Sequence, residues 1–317
     1  IIGRLKAKGV AIIYISHRME EIMLLSDDIT VIRDGEYIAT RQREDVTIDE
    51  LIAMMVGRQM NEIYPPRLSA APAASDAPIL SVEGFSRSGE FEDVSFEVRK
   101  GEILGFFGLI GSGRSEMMNA LFGMKAANGN IRIDGETATI SSPVDAIGRR
   151  IAFVTENRKE EGLVLAHSVE WNISMAALGR FAAALGFMRK RQERKAAVDE
   201  VGRLTIKTAA VDTPVGPPPR GDPQQPRLAK RLLTQPRILI LDEPTRGVDV
   251  GAKFEIYKII RQLAAEGTAI LLVSSELPEV LGMSDRLVVM HEGRLSATLS
   301  GGATPETVMA HATGITS

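Results

Sequence analysis

Residues 238–253 read ILILDEPTRGVDVGAK, an apolar run that ends abruptly in Asp242, Glu243 and Pro244. A short apolar run bounded by turn residues predicts a strand buried in a parallel sheet. Two adjacent carboxylates at the carboxyl end of such a strand can hold magnesium through Asp242 and polarise a water molecule through Glu243. The stretch therefore predicts a site for ATP and magnesium. A strand that merely ends in an acidic turn is the alternative.

A glycine-rich turn upstream supports the ATP interpretation. Residues 103–107 predict a strand that leads into residues 108–115, GLIGSGRS, and then into a helical stretch over residues 116–122. Glycines at a strand-to-helix turn let backbone amides close around phosphate oxygens, and the helix N-terminus adds partial positive charge. The predicted phosphate-binding residues are Gly108, Gly111, Ser112, Gly113, Arg114, Ser115 and Glu116.

Arg114 departs from the phosphate-loop pattern, which has Lys at this position. Arg keeps the positive charge, but its planar fork is bulkier than a compact ammonium group. Ser115 keeps the hydroxyl that would contact magnesium. The sequence thus predicts nucleotide binding more strongly than rapid hydrolysis. A tight turn without a ligand is the alternative for the glycines, and the dinucleotide-binding spacing G-x-G-x-x-G is not matched.

Composition limits the class of protein. The 317 residues suit one large domain with a fragment, or two medium domains. Hydrophobic residues make up 44% and charged residues 25%, which is typical of a globular protein. A net charge of -3 offers no polybasic surface for nucleic acid. The lack of Cys excludes disulfides, thiol catalysis and zinc–thiolate sites. No apolar run reaches the ~18 residues that a transmembrane helix needs.

An internal repeat relates residues 9–39 to residues 267–297. The two stretches align without a gap at an offset of 258, and ten positions are identical, among them Ser16 with Ser274 and Asp27 with Asp285. Chance similarity of two strand-helix-strand units would rarely preserve polar turn residues over such a span, so we expect a duplicated domain. About 180 residues are then expected to precede Ile1 in the parent protein.

The repeat and a change in composition predict the domain boundaries. Residues 64–78, YPPRLSAAPAASDAP, are rich in Pro, Ala and Ser, which predicts an exposed linker. Residues 1–63 are expected to be the C-terminal remnant of a first nucleotide-binding domain, and residues 79–317 a second, complete one. Alternating strand and helix patterns predict an α/β fold: a P-loop NTPase core with an antiparallel β subdomain and a helical subdomain. The last 20 residues are expected to form a small helix that leaves the sheet.

Three motifs, the phosphate loop, residues 241–249 (LDEPTRGVD) and residues 271–286 (LLVSSELPEVLGMSDR), together resemble those of the ATP-binding subunits of ABC transporters. Residues 111–116 (GSGRSE), 155–163 (TENRKEEGL) and 273–279 (VSSELPE) resemble most closely the tandem-domain subunits of bacterial sugar importers of the ribose, galactose and xylose type. The likeness covers nearly the whole chain. In that family the second domain has Arg in its phosphate loop and lacks the switch histidine.

The resemblance implies a role for each matching residue. Asp242 would hold magnesium through water, with Ser115 as the second magnesium residue, and Glu243 would be the catalytic base-like residue. Asp249 would communicate across a dimer of nucleotide-binding domains. Glu156 stands at the Q-loop position. Ser275 stands at the switch-histidine position, and His17 is that catalytic histidine in the first copy, although an exposed turn histidine is the alternative for His17.

One motif departs from the family. Where an LSGGQ-like signature is expected, residues 217–227 read PPPRGDPQQPR. A signature helix works through amides and a hydroxyl at its N-terminus, whereas Pro has no amide to donate, and Pro226 inside that helix would cost ~3 kcal/mol. The flanking residues and the spacing match, which suggests a compensated frameshift. Genuine decay of the motif is the competing hypothesis, and resequencing codons 210–232 distinguishes the two.

The leading hypothesis is an ATP-binding subunit at the cytoplasmic face of the bacterial inner membrane. It would power carbohydrate uptake through membrane permease subunits and a periplasmic sugar-binding protein, with ATP and Mg²⁺ as ligands and without nucleic acid. Two alternatives remain: a catalytically inactive nucleotide-binding regulatory module, and a soluble ABC-type ATPase outside transport. For the adenine ring, Phe85 or Phe91 is a candidate stacking residue, and each could equally be core.

Overall fold

The computed structural model describes residues 2–16, 19–33, 35–56, 64–156, 163–164, 166–183, 187–204, 208, 210–215, 224–248 and 250–315. The chain divides into two units: Ile1–Pro65 with Gly247–Glu255, and Pro66–Arg246 with Ile256–Ser317.

The described residues of the segment Ile1–Pro65 form three α-helices and one hairpin. Its elements are α1 (Ile2–Lys6), α2 (Met19–Leu25), β1 (Asp28–Arg33), β2 (Glu36–Gln42), a 3₁₀ turn (Arg43–Asp45) and α3 (Ile48–Val56).

The remaining elements alternate between strands and helices. They are β3 (Pro78–Arg87), β4 (Phe91–Arg99), β5 (Ile103–Phe107), α4 (Arg114–Leu121), β6 (Asn128–Ile133), β7 (Glu136–Thr137), α5 (Pro143–Gly148), β8 (Ile151–Val154), α6 (Val169–Ser174), a 3₁₀ turn (Met175–Ala177), α7 (Leu178–Phe181), α8 (Lys190–Arg203), α9 (Gln224–Leu232), β9 (Ile238–Asp242), α10 (Val250–Ala265), β10 (Ala269–Val273), α11 (Leu277–Met283), β11 (Arg286–His291), β12 (Arg294–Ser300) and α12 (Pro305–Ala312).

The central sheet of the second unit has six strands in the order β12-β11-β5-β10-β9-β8. All neighbours pair in parallel except β11 and β12, which form an antiparallel hairpin. Every residue of β5, β9 and β10 is buried, as the continuous apolar runs predict for strands covered on both faces. The predicted α/β fold is therefore confirmed.

A second sheet of four antiparallel strands, in the order β4-β3-β6-β7, packs on this core. Buried and exposed residues alternate along most of β4, so that Phe96 points inward and its ring lies 5.1 Å from that of Phe106 in β5. The rings of Phe85 and Phe91 lie 5.3 Å apart, and both side chains are only 3% exposed. Both rings are core, and neither presents a face for adenine.

The repeat reappears as repeated structure. At the offset of 258, α2, β1 and β2 coincide residue for residue with α11, β11 and β12. Both hairpins also carry a register shift at the same place, between Val31 and Ile32 and between Val289 and Met290.

The repeat also predicts a strand within residues 10–16, and this prediction is wrong. These residues are all described and form no strand. Their counterpart, β10, pairs with a strand on each side, whereas no described strand pairs with residues 10–16, and the backbone of a strand needs such neighbours.

The linker and the C-terminus both differ from expectation. Most side chains of residues 66–77 are exposed, as predicted, but Arg67 is half-buried, donates to the Gly101 carbonyl oxygen at 2.7 Å and pairs with Asp285. The linker is thus tied to the second unit. Helix α12 does not leave the sheet, because Val308 buries its side chain against β11 and β5 in a small core that contains Val289 and Phe107.

None of the helices in the described part of the chain combines the length and the hydropathy that are needed to cross a bilayer.

Gly105 is predicted to be required for the packing of α11 on β5. A Cβ atom at this position would lie 2.5 Å from Val280 Cγ1 and would clash with the Ser284 hydroxyl. We expect Gly105→Ala to lower the free energy of unfolding by about 1–3 kcal/mol because the core would be overpacked. Urea denaturation measures the change. The control is Gly202→Ala in α8, where a Cβ meets nothing within 4 Å, so a gain of up to ~1 kcal/mol is expected. Equal losses in both variants would contradict the packing argument.

Candidate nucleotide-binding site

The predicted phosphate loop lies between β5 and α4. Gly111 and Gly113 have φ values of +84° and +87°, which glycine adopts without steric cost. Gly113 is the N-cap of α4, so the first amides of that helix, including those of Arg114 and Ser115, face the loop. This geometry suits a phosphate group.

Two of the glycines are also required for space. A Cβ atom on Gly108 would lie 2.5 Å from the Met290 carbonyl oxygen and 2.6 Å from Ser112 Oγ. On Gly113 it would lie 2.7 Å from the Glu90 carbonyl oxygen. The loop is therefore pressed against its surroundings and held in one shape. Ser112 Oγ is buried and has no hydrogen-bond partner among the described residues.

The predicted magnesium residues meet. Ser115 Oγ donates a hydrogen bond to Asp242 Oδ1 at 3.1 Å, although the two residues are 127 positions apart. Asp242 is 2% exposed, and burial raises the pKa of its carboxyl to about 6, partly offset by the bond from Ser115. The ionised form of such a buried carboxyl group is unfavourable in the protein without ligands, and a cation bound nearby would stabilise it.

This pair fits Mg²⁺ only together with a ligand. No cluster of three or more His, Cys, Asp and Glu side chains in the described ranges could hold a metal by itself. Mg²⁺ usually binds through one or two protein groups plus waters and substrate phosphates. One hydroxyl and one buried carboxylate at the phosphate loop match that donor set.

Glu243 is held in an unusual backbone conformation. Its φ is +49°, a left-handed value that is uncommon outside glycine. Its amide donates to the Val273 carbonyl oxygen at 2.9 Å, and its Oε2 accepts from Ser275 Oγ at 3.1 Å. Burial raises the pKa of the Glu243 carboxyl, while the Ser275 hydroxyl and the charge of Arg114 oppose the rise. The predicted base-like residue and the residue at the switch position are thus in direct contact.

Arg114 turns toward the neighbouring strand end. It is 7% exposed, and its Nη1 donates to the Ser274 carbonyl oxygen at 2.7 Å. Burial lowers the pKa of the guanidinium, and the charges of Glu243, Asp242 and Glu116 oppose this change. Sequence reasoning missed the role of Ser274. The bond goes to a main-chain oxygen, which the residue type at position 274 does not determine.

Of the other predicted site residues, the structure describes Glu156 but not His17 and Asp249. Glu156 is exposed, directly after β8, and forms an ion pair with Arg246 four residues after Asp242. His17 and Asp249 lie outside the described residues. Most of residues 217–227 also lie outside them, but α9 begins at Gln224 and places Pro226 in its first turn. Amides there need no intrahelical acceptor, so the expected proline penalty is smaller than for a helix interior.

Comparisons with known proteins agree with this geometry. The sequence profile of the family described as ABC transporter matches residues 91–246. A ribose import ATP-binding protein of Geobacillus kaustophilus is 48% identical over 99% of this chain and 63% of its own length. Its namesake in Roseobacter denitrificans is 43% identical over 99% of this chain and 61% of its own length.

Solved structures show the same fold. A nucleotide-free ATP-binding cassette from an ABC transporter matches with a TM-score of 0.63 at 23% identity, over 74% of this chain and 96% of that chain. A dimeric cassette in a post-hydrolysis state bound to ADP and Pi matches with a TM-score of 0.58 at 18% identity, over 71% of this chain and 100% of that chain.

The fold and the family match of residues 91–246 together define a P-loop nucleotide-binding domain of the ATP-binding cassette type. Residues 91–246 belong to the ABC transporter family, and the chain as a whole is similar to ribose import ATP-binding proteins. It spans about three fifths of the length of the curated relatives that it matches, 63% in the first case.

The raised pKa of Asp242 predicts a pH-dependent stability. Since the folded protein retains the proton up to about pH 6, wild type should lose stability as the pH rises from 4 through 6. Asp242→Asn removes this loss. The free energy of unfolding of the variant should therefore exceed that of wild type by an amount that grows with pH and reaches about 1–3 kcal/mol at pH 7.5. Urea denaturation between pH 4 and 8, with a chelator and without nucleotide, measures the change.

Asp134→Asn is the control of opposite sign. The hydrogen bond from Arg237 lowers the pKa of Asp134, so removal of this carboxylate should cost stability above pH 4. The pair is half-exposed, and the expected loss is below ~1 kcal/mol. If both variants changed in the same direction with pH, the assignment of a buried, destabilised carboxylate at Asp242 would be wrong.

Proposed function

We propose that this protein is an ATP-binding subunit of an ABC importer that couples ATP binding and hydrolysis to the uptake of a ribose-type monosaccharide. The hydrogen bond of 3.1 Å between Ser115 and Asp242 carries the proposal, because it joins the phosphate loop to the acidic strand end. The naming of the relatives as ribose import ATP-binding proteins supports the substrate class.

Each side chain has a task in this function. The amides at the start of α4 would bind the phosphates of ATP, and the guanidinium of Arg114 would neutralise their charge. Ser115 and, through water, Asp242 would hold Mg²⁺, which when bound neutralises charge on the phosphate oxygens. Glu243 would orient the attacking water, and Ser275 would hold the Glu243 carboxylate in place.

The proposed assembly follows from the repeat. Residues 1–63 would be the end of a first nucleotide-binding domain, joined by residues 64–78 to the second, and the two domains would close around ATP as a dimer. His17 and Asp249 would act at that interface. Permease subunits and a periplasmic sugar-binding protein would be the partners, and the protein would lie at the cytoplasmic face of the bacterial inner membrane.

A second candidate is a module that binds nucleotide without turnover. The bond of Arg114 to the Ser274 carbonyl oxygen favours it, since part of the guanidinium is engaged away from the phosphate loop. Ser275 also lacks the titratable ring of a histidine at the switch position. Nucleotide binding without phosphate release would distinguish this candidate from the ATPase.

Removal of the Ser115 hydroxyl should weaken the magnesium-dependent part of nucleotide binding. We expect Ser115→Ala to lower the affinity for ATP about tenfold with Mg²⁺, equivalent to ~1.4 kcal/mol, and far less in chelator. Titration with a fluorescent ATP analogue measures both values. Ser141→Ala is the control, because this exposed hydroxyl bonds only Asp145 in the cap of α5. Equal Mg²⁺ dependence in Ser115→Ala and wild type would refute the assignment.

Association with a sugar permease tests the importer itself. The protein should sediment with vesicles that contain the membrane subunits of a ribose importer and remain in the supernatant with protein-free vesicles. Phosphate release from ATP should rise when the sugar-loaded binding protein is present inside those vesicles. Retention by neither vesicle type would exclude the import function while leaving nucleotide binding intact.

A further inference from the structure

A second hydrogen bond, deeper than the site, joins the same two chain segments that carry Glu243 and Ser275. Thr245 Oγ1 donates to Glu279 Oε1 at 2.7 Å. Thr245 is 0% exposed and Glu279 1% exposed, so this contact is shielded from water. Buried carboxylates are rare unless they are hydrogen-bonded, and this one has no role in the site as described above.

The placement of the pair relates it to the site. Thr245 follows Glu243 by two residues, and Glu279 follows Ser275 by four. Glu279 lies in the first turn of α11, where its amide donates to the Glu276 carbonyl oxygen at 3.0 Å. The outer contact, from Ser275 Oγ to Glu243 Oε2, spans 3.1 Å and is partly exposed. Two hydrogen bonds therefore fix the acidic turn to the start of α11. The bond between Ser275 and Glu243 is partly exposed, and the bond between Thr245 and Glu279 is buried.

The acidic turn needs such a tether. Glu243 has a φ of +49°, and residues in sparsely populated backbone regions persist only where the surroundings hold them. Its own carboxylate accepts from the hydroxyl and the amide of Ser275, an exposed residue whose contacts water can replace. A buried hydrogen bond two residues away, which water cannot reach, is the stronger restraint.

We propose that Thr245 and Glu279 form a positioning pair that holds Glu243 in place for reaction with the attacking water. The proposal rests on the proposed ATPase function and adds a residue pair to it. The internal repeat supports it, since Glu21 occupies the position of Glu279 in the first copy. Loss of the pair should impair the chemical step and leave nucleotide binding nearly unchanged, because the phosphate loop itself is untouched.

Thr245→Val tests the pair, since valine keeps the shape and loses the hydroxyl. We expect the single-turnover rate of phosphate release to fall about tenfold or more, with the dissociation constant for Mg-ATP changed less than about twofold. Glu279→Gln retains an oxygen that can accept from Thr245 and should keep most of the rate. Glu279→Leu should match Thr245→Val.

Ser174→Ala is the matched control. Ser174 Oγ donates to Glu193 Oε1 at 2.7 Å, a hydroxyl–carboxylate bond buried as deeply but in the helical subdomain. It should lower stability comparably and leave the rate of phosphate release within about twofold of wild type. A rate loss in Ser174→Ala as large as in Thr245→Val, or a parallel loss of affinity in Thr245→Val, would overturn the positioning role.

Hydrogen exchange supplies a readout without turnover. The Glu243 amide donates to the Val273 carbonyl oxygen at 2.9 Å, so its exchange reports the order of the acidic turn. Thr245→Val should speed this exchange about tenfold, and Ser174→Ala should not change it. If wild type bound ATP but released no phosphate, the ATPase function would fail while this measurement still decides the proposal. Unchanged exchange in Thr245→Val would overturn it.

Discussion

One constraint governs the second unit: the buried strands β5, β9 and β10 end in the same row of the sheet. Val273 lies opposite Asp242 on one side and opposite Phe106 on the other. Adjacent strands are only about 4.8 Å apart, so the segments that follow them leave the sheet side by side. This is how Ser115 reaches Asp242 across 127 positions of sequence and Arg114 reaches Ser274 across 160. The site is a consequence of strand register.

The same edge is electrostatically costly. Asp242 and Glu243 are neighbours in a buried position, and burial raises the pKa of both. The hydroxyls of Ser115 and Ser275 and the charge of Arg114 offset part of that cost. Groups arranged in advance for a charged ligand lower the stability of the protein alone, and the well-packed core around Phe106 compensates.

The sequence predicted the parts of this arrangement that depend on local pattern. Continuous apolar runs identified β5 and β9, glycine spacing predicted the tight turn between β5 and α4, and the two predicted magnesium residues, Ser115 and Asp242, are hydrogen-bonded. Contacts that depend on side-chain direction could not be read from pattern, above all the bond of Arg114 to a carbonyl group. The strand expected within residues 10–16 failed for the opposite reason, since hydrophobic pattern alone cannot supply the neighbouring strands that a strand requires.

The two departures from the general pattern, Arg114 in the phosphate loop and Ser275 at the switch position, are linked in space. Arg114 bonds the carbonyl group of Ser274, and the next residue, Ser275, bonds Glu243. A lysine ammonium is a single point of charge, whereas a guanidinium has five donors in a fixed plane and can contact a carbonyl oxygen and a phosphate together. Arg at position 114 therefore does more than preserve charge, because it fixes the turn on which Ser275 stands. The replacement of lysine by Arg114 and that of histidine by Ser275 therefore affect the same turn. We interpret them as one coupled change in the contacts that hold this turn.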